Sequence, residues 1–598
     1  MKDFFKNVLA TIAGIFGFGL VLFIFGLLGL AGIIASENSP KKIADNSVLV
    51  LNLKGTIQER VDNDLLSKLT GGEASQIGLN DLLSSIAKAK EDPHIKGIYI
   101  ETGALINNYG TLQELRNALA DFKKSGKWII AYGDMYTQGA YYVASLADKI
   151  YLNPSGMIDI HGIGAQPMYI KDLAAKFGIH YQVIKVGAYK SATEAYTSDR
   201  MSKANRIQLT AIINGTWKTV VNAISASRHI SRDSINAYAD HLILLADAKS
   251  YKKDKLVDGF LYDDEVKNVV KKQLGLDKDQ TISQVSPEEM DKADRHNHGG
   301  QVAVYYAEGE IVLNNTASNF VSQDAIVSTK VCKDLEKLKD DDDVKAVVIR
   351  LNSPGGDAYA SEQIWHAVTE LKAKKPVVIS MGDLAASGGY SMSCSRRLYL
   401  SWNANWIVAH PTTLTWSIGI FGVFRDLSEL GTKKLGLHFD QVETNKHSIF
   451  GDTWARPLDT EELRLLAGNI HRGYQLFRSR VAQGRKMTIP QVERIAQGHV
   501  WLGMDAIKLG LVDQLGGTNV AVAKAARLAH LKTYHTKGYP QPGDWTDRFM
   551  KEIQHGNNLD ESVKAALGDY YEPFLLLKEL NTHQELLQAR MINNIQIR

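Results

Sequence analysis

Apolar positions along the chain fall into two kinds of run. Most are short: IKGIYIE, WIIAY and KIYLN early on, then VKAVVIR, PVVISM and WIVAH later. Between them lie helical stretches such as LNDLLSSIAKAK and ASEQIWHAVTELKAK. Strands separated by helices predict an α/β fold of repeated β-α-β units around a largely parallel sheet. Ligands in such folds sit at the carboxyl ends of strands, so chemistry is sought there.

The second kind of run occurs once. After Lys6 the next charge is Glu37, leaving residues 7–36 uncharged. A helix over that stretch would run about 45 Å, against about 30 Å of bilayer hydrocarbon. A secretory signal has an apolar region of only about 7–15 residues. The pattern predicts an N-terminal transmembrane helix, single-pass, with no later stretch able to span again. Lys2 and Lys6 favour an inside N-terminus, which puts the bulk of the chain on the outer side. Lys41 and Lys42 blunt that bias.

The rest repeats itself. SVLVLNLKGTI (47–57) resembles QVAVYYAEGEIV (301–312), and AKAKEDPHIKGIYIE (87–101) resembles EKLKDDDDVKAVVIR (336–350). AYGDMYTQGAYY (131–142) resembles SMGDLAASGGYS (380–391). From Asp92/Asp341 to Tyr141/Tyr390 the offset stays at 249. Further on, ADKIYLNPSG pairs with ANWIVAHPTT at offset 257, and FGIHYQV with LGLHFDQ at 258. The predicted organisation is an anchor over 1–45, a first unit over 46–276, a linker over 277–300, a second unit over 301–535 and a helical extension over 536–598. Stretches such as ESVKAALGDYYEPFLLLKELN and HQELLQARM in that extension read as amphipathic helices.

Composition excludes more than it names. With 69 Lys+Arg against 66 Asp+Glu among 598 residues, no long-range field draws the chain to nucleic acid. Two cysteines make neither a disulfide framework nor a Cys-rich zinc site. His296 and His298 in the polar linker have no partner at ligand spacing, so no metal site is expected.

Duplicated units that have divided their labour should differ at the reacting positions. In the second unit the strand VKAVVIRLN runs into SPGGD (353–357), where consecutive glycines present backbone N–H groups of the kind an oxyanion hole needs. The first unit has ETGALINNYGT there. The next strand of the second unit ends in AASGGY, with Ser387 between small residues at a strand-to-helix turn. The register sets Gln138 opposite Ser387, so the first unit lacks the hydroxyl. A serine nucleophile needs a base. His410, His438 and His447 fall in no recognisable triad context. The first unit offers Lys190 in VGAYKSATEAYTS, whose counterpart at offset 258 is Ser448. Burial can lower a lysine pKa far enough for it to act as a base. Lys446, two positions from Ser448, is the natural false candidate.

LNSPGGDAYASEQIW, MGDLAASGGY, VGAYKSATEAYTSDRMS and TLTWSIGIFGVF together resemble the signal peptide peptidase (SppA, protease IV) family in its long, double-domain bacterial form. The likeness extends over essentially the whole chain. It implies two tandem Clp-protease/crotonase-like domains and a Ser/Lys dyad, with Ser387 as nucleophile and Lys190 as general base. Gly356 and Gly388 would supply oxyanion donors, with Gly355 a further candidate, and no metal or organic cofactor is implied. It also implies peptide substrates, namely cleaved signal peptides, and a homo-oligomer, a tetramer, on the periplasmic side of the bacterial inner membrane. Two departures stand out. Fourteen residues separate Tyr390 from Asn405 where six separate Tyr141 from Asp148. The extra segment within 391–404 is expected either to extend or bulge harmlessly or to displace the nucleophile helix. Trp416 stands where the family has a small residue and is expected to reshape or block the groove; Ser417 beside it imitates a nucleophile. These departures leave a catalytically impaired peptide-binding scaffold as an alternative, and the fold leaves a crotonase-like acyl-CoA enzyme as another.

Overall fold

A computed structural model of the chain describes residues 42–61, 77–293, 298–314, 325–394 and 406–541, the backbone of Gln588–Arg590, and isolated positions of the N-terminal segment. The anchor expected over 7–36 lies almost wholly outside the described residues, as do 395–405 and most of the C-terminal extension. Among the described residues no helix is long and apolar enough to cross a membrane.

Each half builds a sheet from the short apolar runs. In the first, Lys149–Ile158, Trp128–Tyr136, Ile95–Leu105 and Ser47–Gly55 lie side by side, with Gly259–Phe260 and Gln284–Val285 at the edges, all parallel. In the second, Leu414–Trp416, Val377–Ala386, Val344–Ser353, Gly300–Glu308 and Tyr534–Tyr539 follow the same plan. There Val500–Leu502 adds one antiparallel edge. The run Ala346–Leu351 is buried throughout, because helices cover both faces of a parallel sheet and leave no side for alternation.

The repeat reaches down to single bonds. Helices Lys203–Arg228 and Thr460–Arg485 are both 26 residues long and stand 257 positions apart. Their last residues, Arg228 and Arg485, hold Asp258 and Asp513. Those carboxylates accept the N–H groups of Ile150 and Ile407, the corresponding strand starts. Tyr141 and Tyr390 each donate their hydroxyl to the carbonyl of the matching loop, at Leu256 and Leu511.

A third, mixed sheet joins the halves. Its order is Ala325–Val327, Glu310–Val312, Gly355–Asp357, Gln588–Arg590, Phe421–Asp426 and, from the first half, His180–Lys185. Here the structure departs from the helix expected over HQELLQARM: Gln588–Arg590 is a strand, antiparallel to both neighbours. Two open strand edges offer it backbone partners, and that tertiary offer outweighs a local helix preference.

Candidate active site

The carboxyl ends of three second-half strands converge where sequence pattern directs attention. Val344–Ser353 delivers Gly355 and Gly356, Val377–Ala386 delivers Ser387, and Leu414–Trp416 delivers Ser417. From the first half, the loop after His180–Lys185 brings Lys190. That strand's pairing with Phe421–Asp426 aims the loop across the junction. Gly498 makes the approach possible, since its φ is +79° and a Cβ there would lie 2.6 Å from the Lys190 backbone nitrogen.

Lys190 Nζ lies 2.9 Å from Ser387 Oγ, 3.0 Å from Ser417 Oγ and 3.2 Å from the Ser417 carbonyl. The lysine is 1% exposed, and burial alone brings its pKa down to about 7. An ammonium stripped of water without a carboxylate beside it is costly, so the amine gives up its proton near neutral pH instead of near 10.5. Tyr189 packs its ring 4.3 Å from His499, which stacks on Trp501, and this fixes the residue before the lysine.

Ser387 sits at φ 53°, ψ −115°, a left-handed backbone that a side chain rarely adopts. Its N–H donates to the Trp416 carbonyl at 2.6 Å, which holds the turn. Gly388 opens the helix Gly388–Ser393, in the first turn, where N–H groups have no intrahelical acceptor. Gly356 has φ +157°, and a Cβ there would lie 2.1 Å from the Ile311 carbonyl oxygen, so the backbone approach requires glycine. Gly355 donates its N–H to Ser353 Oγ at 3.1 Å and is therefore engaged within the turn.

The chain matches Peptidase family S49 over residues 121–277 and again over 369–532, and Clp protease over 306–415. Protease 4 of Salmonella typhi is 35% identical over 578 residues, covering 93% of this chain and 89% of that one. Protease 4 of Haemophilus influenzae is 34% identical, covering 85% and 84%. The chloroplastic serine protease SPPA of Arabidopsis thaliana is 30% identical, covering 82% and 70%. The chain belongs to Peptidase family S49. It is a serine protease with the Clp-protease-like α/β fold, in the long form that carries the S49 domain twice.

Within this S49 chain the other candidates separate cleanly. Lys446 is exposed and paired with Glu461. His438 is exposed, and His410 is buried but bonded through Nε2 to Glu114 at 3.0 Å. His447, Asp459 and Glu462 cluster, yet Arg456 grips Glu462 with two 2.8 Å bonds and Asp459 caps a helix, which makes the group a helix start. His298 lies in the linker; His296 lies outside the described residues. Of the outcomes left open for the extra segment, displacement of the nucleophile helix is not seen among the described residues: Ser387 meets Lys190, and Gly388–Ser393 is helical. Nor does Trp416 block a groove. Its indole is fully buried in the second-half core, 4.7 Å from the Tyr390 ring, at φ +91°.

Two features of the site carry no motif. Ser417 imitates a nucleophile in sequence, yet its hydroxyl and carbonyl hold the lysine. Its counterpart at offset 257 is Ile160, so the comparison of halves that isolates Ser387 isolates Ser417 as well. The other is a buried charge cluster between the halves. Arg350 binds Glu59 through two 2.8 Å bonds and Glu114 through a third. Burial pushes the Glu59 carboxyl up, whereas Arg350 and His410 overcome burial at Glu114 and hold it low. Asp383, four residues before Ser387, accepts from Thr111 N at 2.7 Å and Thr111 Oγ1 at 2.6 Å. First-half residues thus grip the strand that carries the serine. Arg350 has the counterpart Glu101, and that reversal of charge was a readable signal.

Proposed function

We propose that this protein is a Ser/Lys endopeptidase in which Ser387 is the nucleophile and Lys190 the general base. One observation carries the reading: the two groups, from different halves, meet at 2.9 Å in a site where the lysine is buried with no counter-charge among the described residues. Neutral Lys190 takes the hydroxyl proton as Ser387 Oγ attacks the peptide carbonyl. The resulting ammonium is held by the Ser417 hydroxyl and carbonyl. The N–H groups of Gly356 and Gly388 stabilise the oxyanion. Lys190 returns the proton to the leaving amine, and a water then attacks the acyl enzyme with the lysine again as base.

An extended peptide is the ligand that suits the surroundings. Gly355–Asp357 and Phe421 already pair with an extended segment, the chain's own Gln588–Arg590, which is strand addition on the strand that carries the proposed oxyanion donor. Leu209, Ile212 and Val500, together with Ser191, Gln208 and Ser417, line a small cavity beside Lys190. The substrates in this reading are apolar peptides such as cleaved signal peptides. The uncharged stretch 7–36 supports a single-pass anchor that keeps the enzyme beside such substrates, with its bulk on the periplasmic side of a bacterial inner membrane. Working as a homo-oligomer, a tetramer, completes the reading.

The test is labelling by a serine-reactive acylating probe. Wild type labels, while Ser387→Ala and Lys190→Ala do not; persistent labelling of Ser387→Ala would sink the assignment.

A further inference from the structure

Lys190 stands at the apex of a tight turn. Its backbone is at φ −75°, ψ 76°, and Ser191 N donates to the Tyr189 carbonyl at 2.8 Å, which closes an inverse γ-turn around the lysine. One bond across three residues is a weak hold for a base that must meet a serine from the other half. Gln208 supplies the rest. Its amide nitrogen lies 3.2 Å from the Tyr189 carbonyl and 2.9 Å from Ser191 Oγ, on the two residues that flank the lysine. Asn205 Oδ1 is a third acceptor, at 3.2 Å. The Gln208 amide oxygen accepts from Val500 N at 3.3 Å, which ties the turn to a second-half strand.

The frame behind this contact is firm. Gln208 lies in the second turn of the helix Lys203–Arg228. That helix starts from Ser202, whose N–H and hydroxyl both donate to Glu194, four residues after Lys190, and Asn205 Nδ2 donates to the same carboxylate. The repeat supplies a control. At offset 257 the counterpart of Gln208 is Leu465. The glutamine is 3% exposed and the leucine 51%. A polar side chain is buried in the half that holds the lysine, and an apolar one is exposed in the half that lacks it, the reverse of the usual preference. Bonds to the lysine turn account for that burial, since a buried amide needs its partners.

We propose that Gln208 is the positioning residue of the base: it fixes both flanks of the Lys190 turn, joins them to Val500 of the other half, and does so without charge. The inference rests on the Ser/Lys reading above. Glutamine suits the place because one neutral amide both donates and accepts. A carboxylate of the same length would favour the ammonium and keep the lysine protonated. The charged and titratable groups on the surrounding elements respect that requirement. Glu194 is taken up by Ser202 and Asn205, and Asp357 accepts from Ala360 N at a helix start. Lys203 and Arg206 are exposed. His499 is packed between Tyr189 and Trp501, where burial pushes its pKa down. Among the described residues none of these groups bonds to Lys190, whose amine meets only Ser387 and Ser417.

The experiment uses the full chain in detergent and a fluorophosphonate probe, whose rate of attachment to Ser387 is followed from about pH 5 to 10. Wild-type attachment rises through about pH 7 as the lysine loses its proton. Gln208→Glu keeps the size of the side chain and an acceptor for Val500 N, and it moves the midpoint up by about one pH unit or more. Gln208→Leu, which installs the residue found in the other half, slows attachment about tenfold or more at every pH. A role confined to holding the fold would lower the fraction of protein that labels and leave the midpoint in place. An unmoved midpoint in Gln208→Glu, or a wild-type rate in Gln208→Leu, overturns the proposal. Should Gln208→Leu unfold in a thermal melt, the Gln208→Glu midpoint decides alone. Wild type that fails to label, or Ser387→Ala that labels, refutes the dyad itself and the inference with it.

Discussion

The turns at Ser387 and Gln138 occupy equivalent places and have opposite character. Both follow strands in the same register, with Leu384 paired to Leu414 as Met135 is to Met157. In the first half Thr137 caps the following helix from ordinary extended backbone, φ −63° and ψ 159°. The Gln138 amide is fully used: its oxygen accepts from His161 N and Gly162 N, and its nitrogen donates to Tyr109 Oη and the Gly162 carbonyl. In the second half the backbone is left-handed, and the hydroxyl at the same place turns to a lysine from elsewhere. The turn at Gln138 is a saturated structural plug, while the turn at Ser387 is strained. Of the two turns, the strained one carries the proposed nucleophile.

Removing the reactive groups should show the contrast at its largest. Ser387→Ala and Lys190→Ala each lower peptidase kcat/KM by about 10³-fold or more, whereas Gln138→Ala changes it by less than about threefold. Comparable losses at all three positions would erase the distinction between the turns. The next test lies in the charge cluster. Arg350→Leu leaves Glu59 and Glu114 buried without their cation and costs about 3–5 kcal/mol in chemical denaturation, against less than about 1 kcal/mol for Glu101→Leu at the matching position.

Ser417→Ala removes a hydroxyl that its counterpart Ile160 lacks. It lowers kcat by about 10-fold with KM little changed, as loss of one bond to the base predicts. The pH dependence follows from burial of the lysine. With the Lys190 pKa at about 7, the base is neutral above that value, so kcat/KM rises as pH increases through about 7. The same depression costs stability: between the folded value and the ordinary lysine value of 10.5, the unfolded chain binds a proton that the folded chain does not. Stability therefore rises with pH across that window. Lys190→Met, inactive, gains about 1–3 kcal/mol at pH 7 once the loss of its hydrogen bonds is set against the relief of burial. The gain fades toward pH 10, and a gain independent of pH would place the cost elsewhere.

The β-α-β plan was legible because strands buried on both faces become unbroken apolar runs, as in VKAVVIR. Ser387 and Lys190 were legible because each half serves as a control for the other. The offset exposes a hydroxyl or an amine that one copy lacks. What was not legible depends on contacts that one segment cannot encode. Gln588–Arg590 takes strand form from two edges contributed by distant residues. The indole of Trp416 finds Tyr390 only once the core exists, so its size gave no direction. Arg350 gains its role only where Glu59 and Glu114 meet it from the other half.

The contact between Lys190 and Ser387 spans 197 positions of a single covalent chain. Its assembly is therefore a first-order event, indifferent to how many copies are present. Had base and nucleophile belonged to separate molecules, every dilution would have withdrawn a fraction of the sites. Fusing the halves replaces that bimolecular equilibrium with an effective concentration set by the connecting chain. Activity per molecule should hold constant as the protein is diluted.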